Sequence, residues 1–267
     1  MSTRRSLVRS PGSAAPAGDE PKEGRKEYCR ENPAETADYR WRWLYRAGGA
    51  AALFGVAIIP IQLLVFVAWG QPDTAIGWFA LFENNPLHGL LAFELLFVVN
   101  ATFGVAATLA LYVALRRLSE SLMAIALAVG LMEAVALIVA RPAFEMLYLS
   151  EQHAAATTDA QRDLFLAAGE TVLATFHGTA FHVSYNLFSV YLLMVSIVML
   201  RSQIFGRVTA SAGILAAILN WGLYVPGIGI LLSVLSVVPL AIWNVLIASR
   251  HFRLGRDVSE EQRLRRS

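Results

Sequence analysis

The chain has 267 residues, 56% of them hydrophobic and 16% charged, with a mean hydropathy of +0.52. Soluble domains run at about 25% charged and about 45–50% apolar residues, so a soluble enzyme core and chain-wide disorder are both excluded. The net charge of +2 gives no support for nucleic-acid binding, and the single cysteine, Cys29, excludes an internal disulfide or a multi-cysteine zinc site.

Residues 1–40 are rich in Pro, Gly, Ala, Ser and mixed charge and have no apolar face, so they read as a disordered tail. They lack the apolar core of a cleavable signal peptide, and the first span is expected to serve as an uncleaved anchor. Tyr39, Trp41, Trp43 and Tyr45, interleaved with Arg40, Arg42 and Arg46, have the composition of an interfacial belt.

Six apolar stretches follow, each long enough or nearly so for the roughly 20 residues that cross a bilayer. They cover 47–69, 90–115, 122–140, 178–200, 208–225 and 228–249. Their continuously apolar runs predict helices, not the period-two pattern of a barrel. The short turn at 226–229 makes the last two an antiparallel hairpin. Residues 75–82 are too short to cross and are expected to lie in the interface or fold back as a partial lid. Residues 159–177 carry Leu164, Phe165, Ala168, Val172 and Phe176 at helical spacing, which predicts an amphipathic helix running into the fourth span. A basic tail, 256–267, ends the chain and is expected near anionic headgroups.

Basic residues set the orientation. With a cytoplasmic N-terminus, the inside segments hold 20 of the 22 Lys and Arg, leaving only Arg141 and Arg162 outside. The prediction is an all-α, multi-pass membrane protein: a bundle of six transmembrane helices over 41–255, both termini cytoplasmic. In a bacterium, as the alanine-rich composition suggests, it would reside in the cytoplasmic membrane.

Polar groups at bilayer depth cost on the order of 3 kcal/mol when charged, so each needs an explanation. At about 1.5 Å per residue, Glu94, Asn100, Glu133, His182, Tyr185, Asn186 and Asn220 fall in the outer half, with His177 at its edge. His182, Tyr185 and Asn186 are spaced i, i+3, i+4 and share a face. Ala210, Gly213, Ala217 and Asn220 form a small-residue stripe of the kind that marks close helix contact, and Asn100, Gly104 and Ala107 form a similar one. Arg141 with Pro142 is expected to end the third span and pair with an outer acid. These eight residues, Glu94 to Asn220, are the candidate ligand-binding set. Plainer readings stand beside it: Glu133 as a neutral hydrogen-bonded carboxyl, Glu94 reaching the headgroups, Asn100 and Asn220 as interhelical glue.

The zinc helix His-Glu-x-x-His, the P-loop and the Gly-x-Ser-x-Gly elbow are absent from the sequence. His177 and His182 are five apart, which is not the i, i+4 pair that chelates a metal on one helix face. A metal site would need one of them with Glu94, Glu133 or His88 from other helices, a mixed set that zinc accepts, and the sequence leaves metal and cofactor open.

From Glu94 to Gly255 the chain resembles the uncharacterised prokaryotic membrane family called domain of unknown function 4386. The resemblance is carried by ALYVALRRLSESLMAIALAVGLMEAV around Glu133, by FHGTAFHVSYNLFSVYLLMVSIVMLRSQIFGRV from Phe176, and by the final hairpin. Similar proteins carry the glutamate of the third span and a His-Gly before the fourth, here Glu133 and His177–Gly178. They often have an aspartate where Glu94 or Asn100 falls. The resemblance implies six helices and supplies no activity.

Three functional classes remain. The first is a binding or transport bundle for a small-molecule or lipid-like ligand, with an outward-facing polar pocket. The second is a metal-assisted intramembrane hydrolase. The third is a structural or regulatory membrane partner. Partners in each case are the lipid bilayer and, for the first, the ligand. The sequence leaves a homo-oligomer open.

Overall fold

The computed structural model describes residues 41–264, with side chains to 256. The expected tail over 1–40, with Tyr39, Arg40 and Cys29, and the last arginines lie outside the described residues. The described residues form helices and no strand: α1 (Arg42–Trp69), α2 (Ala75–Asn84), α3 (Pro86–Ala92), α4 (Leu95–Leu115), α5 (Glu120–Val139), α6 (Ala143–Ala155), α7 (Asp159–Phe176), α8 (Thr179–Met199), α9 (Arg207–Trp221) and α10 (Gly229–Leu264). Five helical stretches are long and apolar enough to cross a membrane, which is the build of a membrane protein. They are Arg42–Ala68, Leu95–Leu115, Glu120–Ala155, Asp159–Met199 and Gly229–Arg256. The expected fifth span is α9, whose 15 residues fall short of that length before a 3-10 turn at Gly222–Tyr224.

Six helices close into a ring. Each packs on the next in the order α1, α4, α5, α8, α9, α10, and α10 returns to α1. Small residues set the close crossings. A Cβ on Gly49 would meet Phe252 and the Ala248 carbonyl of α10, and one on Gly130 would lie 2.9 Å from the Tyr191 ring of α8. One end of the ring holds an apolar core that includes Leu111, Leu115, Met123, Leu192, Met199 and Phe205. Arg116, Arg117 and Arg201, in the α4–α5 and α8–α9 connections, and Arg207 at the start of α9 border this end.

At the other end α2, α3, α6 and α7 pack on one another as a cap. Trp78, Phe79 and Phe82 of α2 meet Met146 of α6, Phe93, and Leu173 and Phe176 of α7. The cap is also tied by polar groups: the Ala75 amide donates to Glu170 at 2.9 Å and the Ser150 hydroxyl to the Phe79 carbonyl at 3.2 Å. Residues 75–82 thus belong to a helix with one face buried, and the predicted amphipathic helix over 159–177 is α7.

Three expectations need correction. The second span does not begin at residue 90: α3 ends at Ala92, and Glu94 takes a left-handed conformation (φ 65°) before α4 starts at Leu95. Helix α6 is a further element after the third span; Pro142 disfavours helix at Arg141 and turns the chain there. The final helix does not stop near residue 249 but continues to Leu264.

Candidate functional site

A cavity of about 370 Å³ lies inside the ring, between the apolar core at the basic end and the cap. Every ring helix contributes to its wall: Gly55 from α1, Asn100 from α4, Glu133 from α5, Tyr185 from α8, Asn220 from α9 and Asn244 from α10. Of the eight candidate residues, Glu94, Asn100, Glu133, Tyr185 and Asn220 line this space.

The cap end of the cavity is marked by an ion pair. Arg141 Nε meets Glu94 Oε2, both side chains being buried. Two chain breaks bring them together, the corner before Pro142 and the left-handed turn at Glu94. A left-handed non-glycine residue costs roughly 1–2 kcal/mol, and the turn aims the carboxylate at the guanidinium. Arg141 also donates from Nη1 to the Ala140 carbonyl at 3.1 Å. Its guanidinium carbon lies 4.8 Å from the Phe176 ring centre and 5.2 Å from that of Phe181. The expected pairing of Arg141 with an acid is therefore present, and the acid is Glu94.

Along α5, Gly130, Glu133, Ala134 and Leu137 recur on one helical face, and they line the cavity together with Arg141 at the corner that follows. No ion pair reaches the Glu133 carboxyl among the described residues. Across the cavity the Tyr185 hydroxyl is hydrogen-bonded to Ser233 of α10. Asn220 donates to the Ser189 hydroxyl at 2.7 Å and, more weakly, to the Tyr185 carbonyl at 3.4 Å. This joins α9 to α8, the interhelical role its stripe suggested.

The two glycine stripes part company. Gly213 is packed so tightly that a Cβ there would sit on the Ser196 hydroxyl and 2.6 Å from Trp243 Nε1. Gly104 meets nothing within 4 Å, because it faces the cavity and not a neighbouring helix.

His182 and Asn186 are on a different surface. They border a shallow groove with Thr179 and Val183, separate from the cavity. Both bind the Tyr224 hydroxyl, His182 Nδ1 at 3.2 Å and Asn186 Nδ2 at 2.8 Å. Tyr185, on the adjoining helical face, turns inward while these two turn outward. Tyr224→Phe is expected to cost about 1 kcal/mol or less, the net worth of a partly exposed hydrogen bond. A matching drop for His182→Ala, with no further loss in the double variant, would confirm one shared contact in thermal unfolding.

His177 is exposed at the α7–α8 corner, its ring edge-on to Phe176 at 4.8 Å. The glycine after it fits a tight space: a Cβ on Gly178 would lie 3.0 Å from the Ala174 carbonyl. Among the described residues no three His, Cys, Asp or Glu gather where a metal could be held.

Sequence reasoning did not single out Gln62 or Tyr224. Gln62 is 2% exposed, and among the described residues neither amide atom has a hydrogen-bond partner. Its signal was a polar residue within an apolar span. Tyr224 stands in a short turn, where no periodicity marks it.

The family model described as Domain of unknown function (DUF4386) matches residues 43–249, and the chain belongs to that family. No curated protein and no solved structure matches it.

Proposed function

We propose that this member of the family is a multi-pass membrane protein that binds a small-molecule or lipid-like ligand inside its helical ring. The observation that carries the reading is the cavity of about 370 Å³, walled by all six ring helices and with polar side chains from five of them, α4, α5, α8, α9 and α10. Small-molecule pockets fall at roughly 300–1,000 Å³ and combine apolar walls with a few placed polar groups. A purely structural network would close on itself; here Glu133 faces open volume. The metal-assisted hydrolase reading lacks a converging donor set among the described residues.

Six crossings, both termini cytoplasmic, and a place in the cell membrane belong to the same proposal. Helix α9 with its 3-10 turn is about 28 Å long, close to the roughly 30 Å hydrocarbon core. It is packed between α8 and α10, as a crossing helix would be. Among the described residues the cap-end segments hold only Arg141 and Arg162 as Lys or Arg, which supports an outer position for the cap. The cap then stands between the cavity and the exterior, and transport would require it to move.

The test is a thermal-shift screen of the full-length protein in detergent, against lipids and a panel of small amines, alcohols and acids. A ligand at about 100 times its Kd adds about 2.7 kcal/mol. Gly104→Leu would fill the cavity from a position with room for the new side chain, and should abolish the shift while the protein stays folded. A shift that persists in Gly104→Leu places the ligand elsewhere; no shift with any compound removes the reading.

A further inference from the structure

We infer that the ligand is a hydrophobic organic cation, an amine with an aromatic or aliphatic body, bound by charge to Glu133. This rests on the ligand-pocket reading above. Three formal charges line the cavity: Glu94, Glu133 and Arg141. Arg141 is already engaged. Its Nε meets Glu94, its Nη1 meets the Ala140 carbonyl, and its planar group lies over two phenylalanine rings. That leaves one carboxyl in excess, on Glu133, and no cation in the wall to meet it.

The remaining wall suits the same ligand. Phe97, Phe181, Phe188, Tyr185, Tyr191 and Trp243 surround the space. Aromatic faces attract cations, and the attraction grows when water is excluded. Gly130, one turn before Glu133, lets Tyr191 close against α5 beside the carboxyl. An anionic ligand would find two carboxyls and a guanidinium already paired. A neutral one would draw no charge interaction from Glu133.

The experiment uses three probes of one size and shape: 2-phenylethylamine, 2-phenylethanol and phenylacetate. Each is titrated calorimetrically into the full-length protein in detergent, as wild type, Glu133→Gln and Glu133→Asp. The amine is expected to bind at least about ten-fold tighter than the alcohol, equivalent to about 1.4 kcal/mol. Glu133→Gln should erase that preference; Glu133→Asp should keep part of it. Equal binding of amine and alcohol, tightest binding of phenylacetate, or a preference that survives Glu133→Gln would each overturn the assignment. Binding of all three that ignores charge but vanishes in Gly104→Leu would leave the pocket standing and the cation proposal refuted. If none binds the wild type, the cation proposal also falls, and the wider screen decides the pocket by itself.

Discussion

Arg141→Met is expected to destabilise the protein by about 3–5 kcal/mol, the range for breaking a buried ion pair by removing one partner. The Arg141 and Glu94 side chains are 6% and 11% exposed, so the stranded carboxylate has little access to water. Methionine keeps much of the stem's packing, and the loss reports on the charge. The cation–π contacts with Phe176 and Phe181 add about 0.5–2 kcal/mol to the cost. Glu94→Gln in the same background should recover part of the loss, because the orphaned charge is then gone. The measurement is denaturant unfolding of both single variants and the double variant in one detergent. Coupling below about 0.5 kcal/mol, the limit for independent sites, would show that the pair holds nothing together. The effect should be centred on the cap, because Arg141 lies at the corner from which α6 departs and touches Phe176 of its core.

Gly213→Leu is expected to lower stability by about 3 kcal/mol, at the upper end of the range for overpacking. The new side chain would enter where Ser196 of α8 and Trp243 of α10 already sit. Helix α9 lies between those two helices, so it must move away from both. Asn220 would then lose its 2.7 Å hydrogen bond to Ser189, and ligand binding in the cavity should fall with it. Gly104→Ala is the contrast. It should be neutral or stabilise by about 0.5–1 kcal/mol, since alanine is the better helix residue and nothing obstructs its methyl. If both substitutions behaved alike in thermal unfolding, the assignment of one glycine to a helix contact and the other to the cavity would be wrong.

The site was partly legible. Glu133, Asn100 and Asn220 stood out because a polar side chain within an apolar span has to be accommodated by something, and depth along the helix follows from the rise per residue. Arg141 was readable as a pairing residue from its position before Pro142. What helical spacing conveys is relative angle. It groups His182 with Tyr185 and Asn186, but it does not say where the arc facing the bundle ends. That boundary runs between Tyr185, which lines the cavity, and His182 with Asn186, which meet Tyr224 instead.

Composition and hydropathy by themselves determined that this is a helical membrane protein, and where its long apolar helices run, because a 20-residue apolar run has few alternatives. The amphipathic α7 was legible for the same kind of reason, a period close to 3.6. Helix α6 was not: at 13 residues it is too short to cross, and its apolar and polar residues fit a loop or a surface helix equally well. The break at Glu94 has no glycine or proline to announce it. Only the tertiary structure decides it, because a left-handed glutamate is held by a partner 47 positions along the chain. The same holds for Gly104 and Gly213. Both sit in stripes of small residues, and the arrangement of six helices around an open centre makes one a contact and the other a wall.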